Sequence, residues 1–322
     1  MHTDVLFAPV WEDLQRLERS MEDAAATDYG AIGRLLTHAI LQRGKRMRPA
    51  LVLLSGKFYN YQPEKLLTAA AAVELLHTAT LIHDDVVDES FSRRGIPTLN
   101  ALTSGRVSIL VGDYIFAKSA TMALASRSLR VMEVFSDTLV SISEGELREI
   151  METGMAHVSK EAYYRRIECK TASLFRAATE VGAIISDAPE PALQALRSYG
   201  YNLGMAFQIV DDVLDFIGDE REMGKPVGSD LLQGTITLPA IYHVSLYPTD
   251  NPVAAMFQGG ADTEALARRA VEMVAGSEAI ELSYADARDF IAHAKRDLEA
   301  LPDNESRQAL HALADYALAR RR

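Results

Sequence analysis

The sequence predicts an all-α protein, and three observations carry that prediction. Apolar residues recur at three- and four-residue steps over stretches of about 15 to 30 residues. Alternating, β-branched runs bounded by turn pairs are scarce. Glycine and proline punctuation falls between the helical stretches. In chain order, the opening segment MHTDVLFAPVWEDLQRLERSMED mixes acids among its apolar residues and lacks a basic start before an apolar core, so no signal peptide is expected. Breaks follow at Arg43-Gly44 to Pro49 and at Tyr61-Gln62-Pro63. Leu66 to Ile82 then reads as a helix, with Arg94-Gly95-Ile96-Pro97 as the next break. Val131 to Ile150 and Leu193 to Phe216 repeat the helical period, and Ser186 to Pro191 interrupts between them. Gly224 to Gly234, GKPVGSDLLQG, is an internal loop dense in glycine and charge, of the kind that carries function more often than packing. After a break at Tyr247 to Pro252, Ala261 to Arg322 is polar, alanine-rich and amphipathic, and is expected to serve packing or closure. No linker or shift of composition divides the chain, so one domain over 1–322 is expected.

Composition narrows the function. The 322 residues are 48% hydrophobic and 24% charged, as in ordinary soluble globular proteins. Thirty-three basic against 45 acidic side chains give a net charge of −12, which opposes binding to nucleic acid or to a broad anionic surface. Cys169 is the single cysteine, so neither an internal disulfide nor a cysteine-rich zinc site is available, and a reducing, cytoplasmic setting is expected. No apolar stretch approaches the roughly 20 residues that span a bilayer.

Two similar segments stand out, His83-Asp84-Asp85-Val86-Val87-Asp88 and Val210-Asp211-Asp212-Val213-Leu214-Asp215. Each embeds Asp-Asp-x-x-Asp in an apolar helical context. Residues i and i+4 share a helix face, so Asp84 faces Asp88 and Asp211 faces Asp215, while Asp85 and Asp212 point aside. Carboxylates at that spacing repel, and a hard divalent ion with oxygen ligands reverses the sign of the interaction. Magnesium binds through a few carboxylates, waters and substrate phosphates, so two such clusters facing one cavity suit a clamped polyphosphate. Cations for the remaining phosphate oxygens are at hand in Gly44-Lys45-Arg46-Met47-Arg48-Pro49, in Arg93-Arg94-Gly95, and at Lys170-Thr171 and Lys225.

From about Gly44 to Tyr242 the chain resembles the trans-type polyprenyl diphosphate synthases, of the medium- or long-chain type. GKRMRP, LLHTATLIHDDVVDES, RRGIPT, KTASLF, FQIVDDVLDF and GKPVGSDLLQGTITLPAIY carry the resemblance, in that order. It implies an isoprenoid synthase-like helical bundle around a central cavity, a homodimer, and several Mg²⁺ ions per site. By the same resemblance Lys45, Arg48, His77 and Arg94 bind the diphosphate of isopentenyl diphosphate. Asp84, Asp85, Asp88, Asp211, Asp212 and Asp215 hold magnesium on the allylic diphosphate, and Arg93, Lys170, Thr171, Gln208 and Lys225 contact that substrate. Asp84, Asp85, Asp88, Asp211, Asp212 and Lys170 are the catalytic set it implies. His83 reads as structural.

The implied reaction is ionisation, condensation and elimination, with the departing pyrophosphate able to accept the proton. It requires no nucleophilic serine or cysteine beside a histidine, and none is apparent. Two departures from the family pattern are visible: Arg43 stands where a second glycine is frequent, and Thr235 where lysine is frequent. The second removes a cation from the allylic site and predicts a larger share for Lys170 and Lys225.

One helical turn is about 5.4 Å, close to one extended isoprene unit, so side chains successively before Asp84 meet successive units of a growing tail. Thr80 and Ala79, then Leu76, then Val73 and Ala72 occupy those positions and none is aromatic, whereas short-chain members of the family often carry Phe or Tyr one turn before the motif, so the resemblance implies a hexaprenyl to decaprenyl product. Geranylgeranyl diphosphate synthesis is the alternative within the family. A class I terpene cyclase, against which the DDVLD motif and GKRMRP argue, and a non-catalytic helical binding subunit, against which the two intact Asp-Asp-x-x-Asp motifs argue, are the further alternatives. Release of a long product brings the chain to lipid, although no basic amphipathic helix or lipidation motif marks a docking surface.

Overall fold

The computed structural model describes residues 6–40, 44–93, 95–218, 227–249, 251–257 and 263–320. After a short 3₁₀ turn come α1 (Trp11–Ala25), α2 (Gly30–Ile40), α3 (Met47–Gly56) and α4 (Pro63–Val87). A two-stranded antiparallel hairpin, β1 (Ser92–Arg93) and β2 (Ile96–Pro97), precedes α5 (Leu99–Leu102), α6 (Gly105–Ala125) and α7 (Leu129–Glu152). Then follow α8 (Lys160–Ile167), a π-helical turn at Glu168–Ala172, α9 (Ser173–Ile185) and α10 (Glu190–Ile217). The remainder is α11 (Ser229–Leu232), α12 (Leu238–Leu246), α13 (Pro252–Met256), α14 (Thr263–Ala275), α15 (Ala279–Leu298) and α16 (Glu305–Ala319). The all-α class expected from the periodicity is the class observed, and the three helices read from the sequence fall within α4, α7 and α10.

Helix starts follow local chemistry. Pro63 opens α4 at a position where its missing N–H goes unused. Ser104 and Ser159 cap α6 and α8, each accepting from a backbone N–H three residues on, Val107 and Ala162.

The chain divides into two compact units, with the divisions falling within or at the ends of helices. One comprises Met1–Thr138, Leu174–Gly200 and Asp297–Leu313. Its core is centred on α4, whose Leu66, Ala70, Ala71, Leu75 and Ala79 are fully buried. The other comprises Leu139–Ser173, Tyr201–Arg296 and Ala314–Arg322. It buries Tyr163, Met205, Ile209, Val213 and Leu238.

Two helices correct the expectation about apolar length. Pro63–Val87 and Gly105–Ala125 are long and apolar enough, by length and composition, to cross a membrane. Scattered polar residues such as Glu74 and His77 break the run by eye but leave the average apolar. The apolar window of α4 is 72% buried, as in a core helix; that of α6 is 33% buried, with Val107, Leu110, Tyr114 and Leu124 exposed.

Candidate active site

The first acidic motif sits at the C-terminal end of α4. Asp84 and Asp85 lie in the last turn, and Asp88 is the capping residue, its N–H donating to the Asp84 carbonyl at 2.8 Å. Carboxylates at this end oppose the helix dipole, so the cluster favours a nearby cation. Glu89 adopts φ 50, and the Ser90 N–H donates to the Asp85 carbonyl, turning the chain into the β1–β2 hairpin. The hairpin delivers Arg93 to Asp85, with Nε and Nη2 at 2.9 and 2.8 Å from Oδ1. Burial pushes the Asp85 carboxyl up and Arg93 draws it back. Asp85 is buried and turned to Arg93, while Asp84 is half-buried and Asp88 exposed. Arg94 lies outside the described residues.

Upstream, His77 is half-buried on α4, and its carbonyl accepts from the Thr80 hydroxyl at 2.8 Å. Leu76 and Ala79 are buried and Thr80 is half-buried. His83 serves packing: Nε2 lies 3.2 Å from the Ile109 carbonyl of α6, against Gly112, where any Cβ would strike the imidazole ring. The three cations of GKRMRP separate. Arg46, at φ 49, turns inward and donates to Glu18 at 2.7 Å and to Glu74 at 2.8 Å. Lys45 is exposed. Arg48 is half-buried, its Cζ 4.7 Å from the centroid of the Phe175 ring.

The second motif occupies the last two turns of α10, again at the negative end of a helix dipole. Its three carboxylates have three different surroundings. Asp211 is part-exposed and pairs with Arg320, whose guanidinium stacks 3.8 Å over the Phe207 ring. Asp212 is buried, accepting from the Tyr163 hydroxyl at Oδ2 and from Gln208 Nε2 at Oδ1, both at 2.7 Å. Burial, with Asp230 adding repulsion, pushes its carboxyl up to about 8 despite those donors. Asp215 is buried too and accepts from Ser229 Oγ at 2.8 Å and the Asp230 N–H at 3.2 Å. The expected shared face of Asp211 and Asp215 is thus not an open one, because the segment from Gly228 to Asp230 folds back onto Asp215.

Lys170 and Thr171 stand on the π-helical turn, a local irregularity frequent at functional sites. Lys170 is held by Glu146, at 3.0 Å, and by Glu149, both on α7. Gly145 permits this approach: a Cβ there would lie 2.5 Å from the Lys170 backbone nitrogen. Thr171 donates to Gln208 Oε1 at 2.7 Å, extending the chain of hydrogen bonds to Asp212. The segment around Thr235 is tied at every residue. The Thr235 N–H donates to the Asp230 carbonyl, the Gly234 carbonyl accepts from Gly154, and the Ile236 carbonyl accepts from Arg166 at 2.7 Å. Arg166 also pairs with Glu152 at 2.6 Å. Lys225 lies outside the described residues.

Sequence reasoning did not single out Tyr163, Arg166, Glu146, Glu149 or Arg320. The Glu146/Glu149 pair, three apart on a helix before a lysine, was the one local signal available.

Among the described residues no three His, Cys, Asp or Glu side chains form a group that could hold a metal ion by themselves. Each acidic motif taken by itself is made of hard carboxylate oxygens at the negative end of its own helix, the donor class that hard divalent cations take together with water and phosphate oxygens.

The model of the polyprenyl synthetase family matches residues 31–274. The chain is 38% identical over 317 residues to heptaprenyl diphosphate synthase component 2 of Geobacillus stearothermophilus, covering 98% of both chains. It superposes on a polyprenyl synthase from Caulobacter crescentus, solved with calcium and isoprenyl diphosphate, with TM-score 0.92 and 35% identity over 100% of this chain and 98% of that one. A decaprenyl diphosphate synthase from Rhodobacter capsulatus gives TM-score 0.90 and 37% identity, with both chains fully covered. Two Asp-rich helix ends, the cations around them and these likenesses agree: the chain belongs to the polyprenyl synthetase family of trans-prenyltransferases.

Proposed function

We propose that the protein condenses isopentenyl diphosphate with an allylic diphosphate, farnesyl or geranylgeranyl, to make a medium- or long-chain all-trans polyprenyl diphosphate. The observation that carries this reading is the pair of Asp-Asp-x-x-Asp motifs at the C-terminal ends of α4 and α10. Asp84, Asp85, Asp88, Asp211, Asp212 and Asp215 would hold Mg²⁺, which when bound neutralises the leaving diphosphate. Lys45, Arg48, His77 and Arg94 bind the diphosphate of isopentenyl diphosphate; Arg93, Lys170, Thr171, Gln208 and Lys225 orient the allylic one. The allylic C–O bond breaks, the isopentenyl double bond attacks the resulting carbon, and a proton is lost to the departing pyrophosphate. Residues preceding Asp84 on α4, namely Leu76, Ala79 and Thr80, set the depth available to the tail; none is bulky and aromatic, which supports a product of six to ten isoprene units. The names of the heptaprenyl and decaprenyl relatives support the same range.

The reading includes one synthase domain over 1–322, a reducing cytoplasmic setting, a homodimer, and contact with lipid during product release. The exposed apolar side of α6 supports a partner for the chain, and the name "component 2" of a close relative allows that partner to be a different chain. Incubation with Mg²⁺, isopentenyl diphosphate and farnesyl diphosphate tests the activity: pyrophosphate is released by the wild type and not by Asp84→Ala.

A further inference from the structure

Tyr163 is fully buried on α8 and its hydroxyl donates 2.7 Å to Asp212 Oδ2. The other oxygen of Asp212 accepts from Gln208, which is itself fixed by Thr171. Both oxygens of this carboxylate are therefore committed to donors from two different elements, α8 and α10, and the third link reaches the π-helical turn that carries Lys170. Three residues along α8, Arg166 is also buried and holds the Ile236 carbonyl beside Thr235. One face of a short helix thus steadies both the second acidic motif and the segment that follows it.

A tyrosine this deeply buried needs a partner for its hydroxyl, and many would do; a backbone carbonyl would satisfy it as well. Its partner is instead an aspartate of the proposed metal site, with the aspartate's remaining oxygen answered separately. Groups that orient metal-site ligands in this way commonly alter metal affinity or activity by about 10- to 100-fold when removed.

We propose that Tyr163 is a positioning residue for divalent-metal binding at the second acidic motif: its hydroxyl fixes the orientation of Asp212, and Gln208 completes the hold. The proposal rests on the reading of that motif as a metal site. Tyr163 touches neither substrate nor reacting atoms and acts through Asp212 alone.

Tyr163→Phe removes the hydroxyl and keeps the ring. Tyr164→Phe makes the same change on the neighbouring residue, whose hydroxyl donates to Asp286 instead. Mn²⁺ binding is measured directly on each full chain by electron paramagnetic resonance, together with the Mg²⁺ dependence of pyrophosphate release. Tyr163→Phe is expected to weaken Mn²⁺ binding and raise the half-saturating Mg²⁺ by about tenfold, while the KM for isopentenyl diphosphate and the circular dichroism spectrum stay as in the wild type. Tyr164→Phe is expected to leave the metal dependence unchanged. If Tyr163→Phe does not fold, Tyr163→Met, which also removes the hydroxyl and keeps an apolar side chain of similar reach, takes the same measurements with the same expectation. Metal binding and Mg²⁺ dependence within twofold of wild type in the folded variant would overturn the positioning role. A wild type that neither binds Mn²⁺ nor releases pyrophosphate would overturn the metal-site reading itself, a different failure.

Discussion

Arg320 pairs with Asp211 Oδ1 and lies over the Phe207 ring, so the first carboxylate of the second motif is answered by a cation 109 residues downstream. On the proposed reading of this motif as a metal site, the guanidinium occupies an oxygen that a divalent ion would use. Arg320→Ala is expected to tighten Mn²⁺ binding in the absence of substrate by roughly tenfold, about 1.5 kcal/mol and the low end of the worth of a hydrogen bond to a charged group. Titration by electron paramagnetic resonance measures it, and unchanged or weaker binding would refute the competition.

Gly145 allows α7 to approach the backbone of Lys170. Gly145→Ala is expected to destabilise the protein by about 1 to 3 kcal/mol, through overpacking against backbone that cannot yield. Displacement of Lys170 should lower kcat as well. Thermal unfolding and steady-state kinetics on one preparation check both; wild-type values for the two would contradict the packing argument.

The Arg166–Glu152 pair is largely buried on the arginine side, with side chains 4% and 13% exposed. Arg166→Met leaves Glu152 without that partner and frees the Ile236 carbonyl. The expected loss is about 3 to 5 kcal/mol, readable as a fall in the urea midpoint. Loss below about 1 kcal/mol would show that the pair is not structural.

His243 is buried on α12, and burial lowers its pKa below the ordinary 6.5. The fold therefore favours the neutral imidazole. Its contribution to stability is present above pH 6.5, the unfolded value, and is lost as pH falls through the lower folded value. The acid side of the stability profile should flatten below pH 6.5 in His243→Gln, measured by denaturant unfolding at several pH values. A variant with the wild-type profile would remove His243 from the account.

The helical class and the two acidic clusters were legible because each rests on spacing within a few turns of one helix, whereas the partners of His83, Ile109 and Gly112, come from the next long helix. The sorting of GKRMRP was not: Arg46 turns inward because Glu18 and Glu74, each 28 residues away, meet it there. The Asp212 donor Tyr163 is 49 residues distant, and Arg320 comes from a segment that read as packing. Helix spacing puts Asp211 and Asp215 on one face, yet Asp211 is part-exposed while Asp215 is as buried as Asp212, because partners from elsewhere in the chain decide what each carboxylate faces.

The chain-length distribution of products made from isopentenyl diphosphate and farnesyl diphosphate with Mg²⁺ tests the central claim most directly. Chromatography should show all-trans products of six to ten isoprene units, absent with Asp84→Ala and with Asp211→Ala. No pyrophosphate release, or a profile ending at four units, would contradict it.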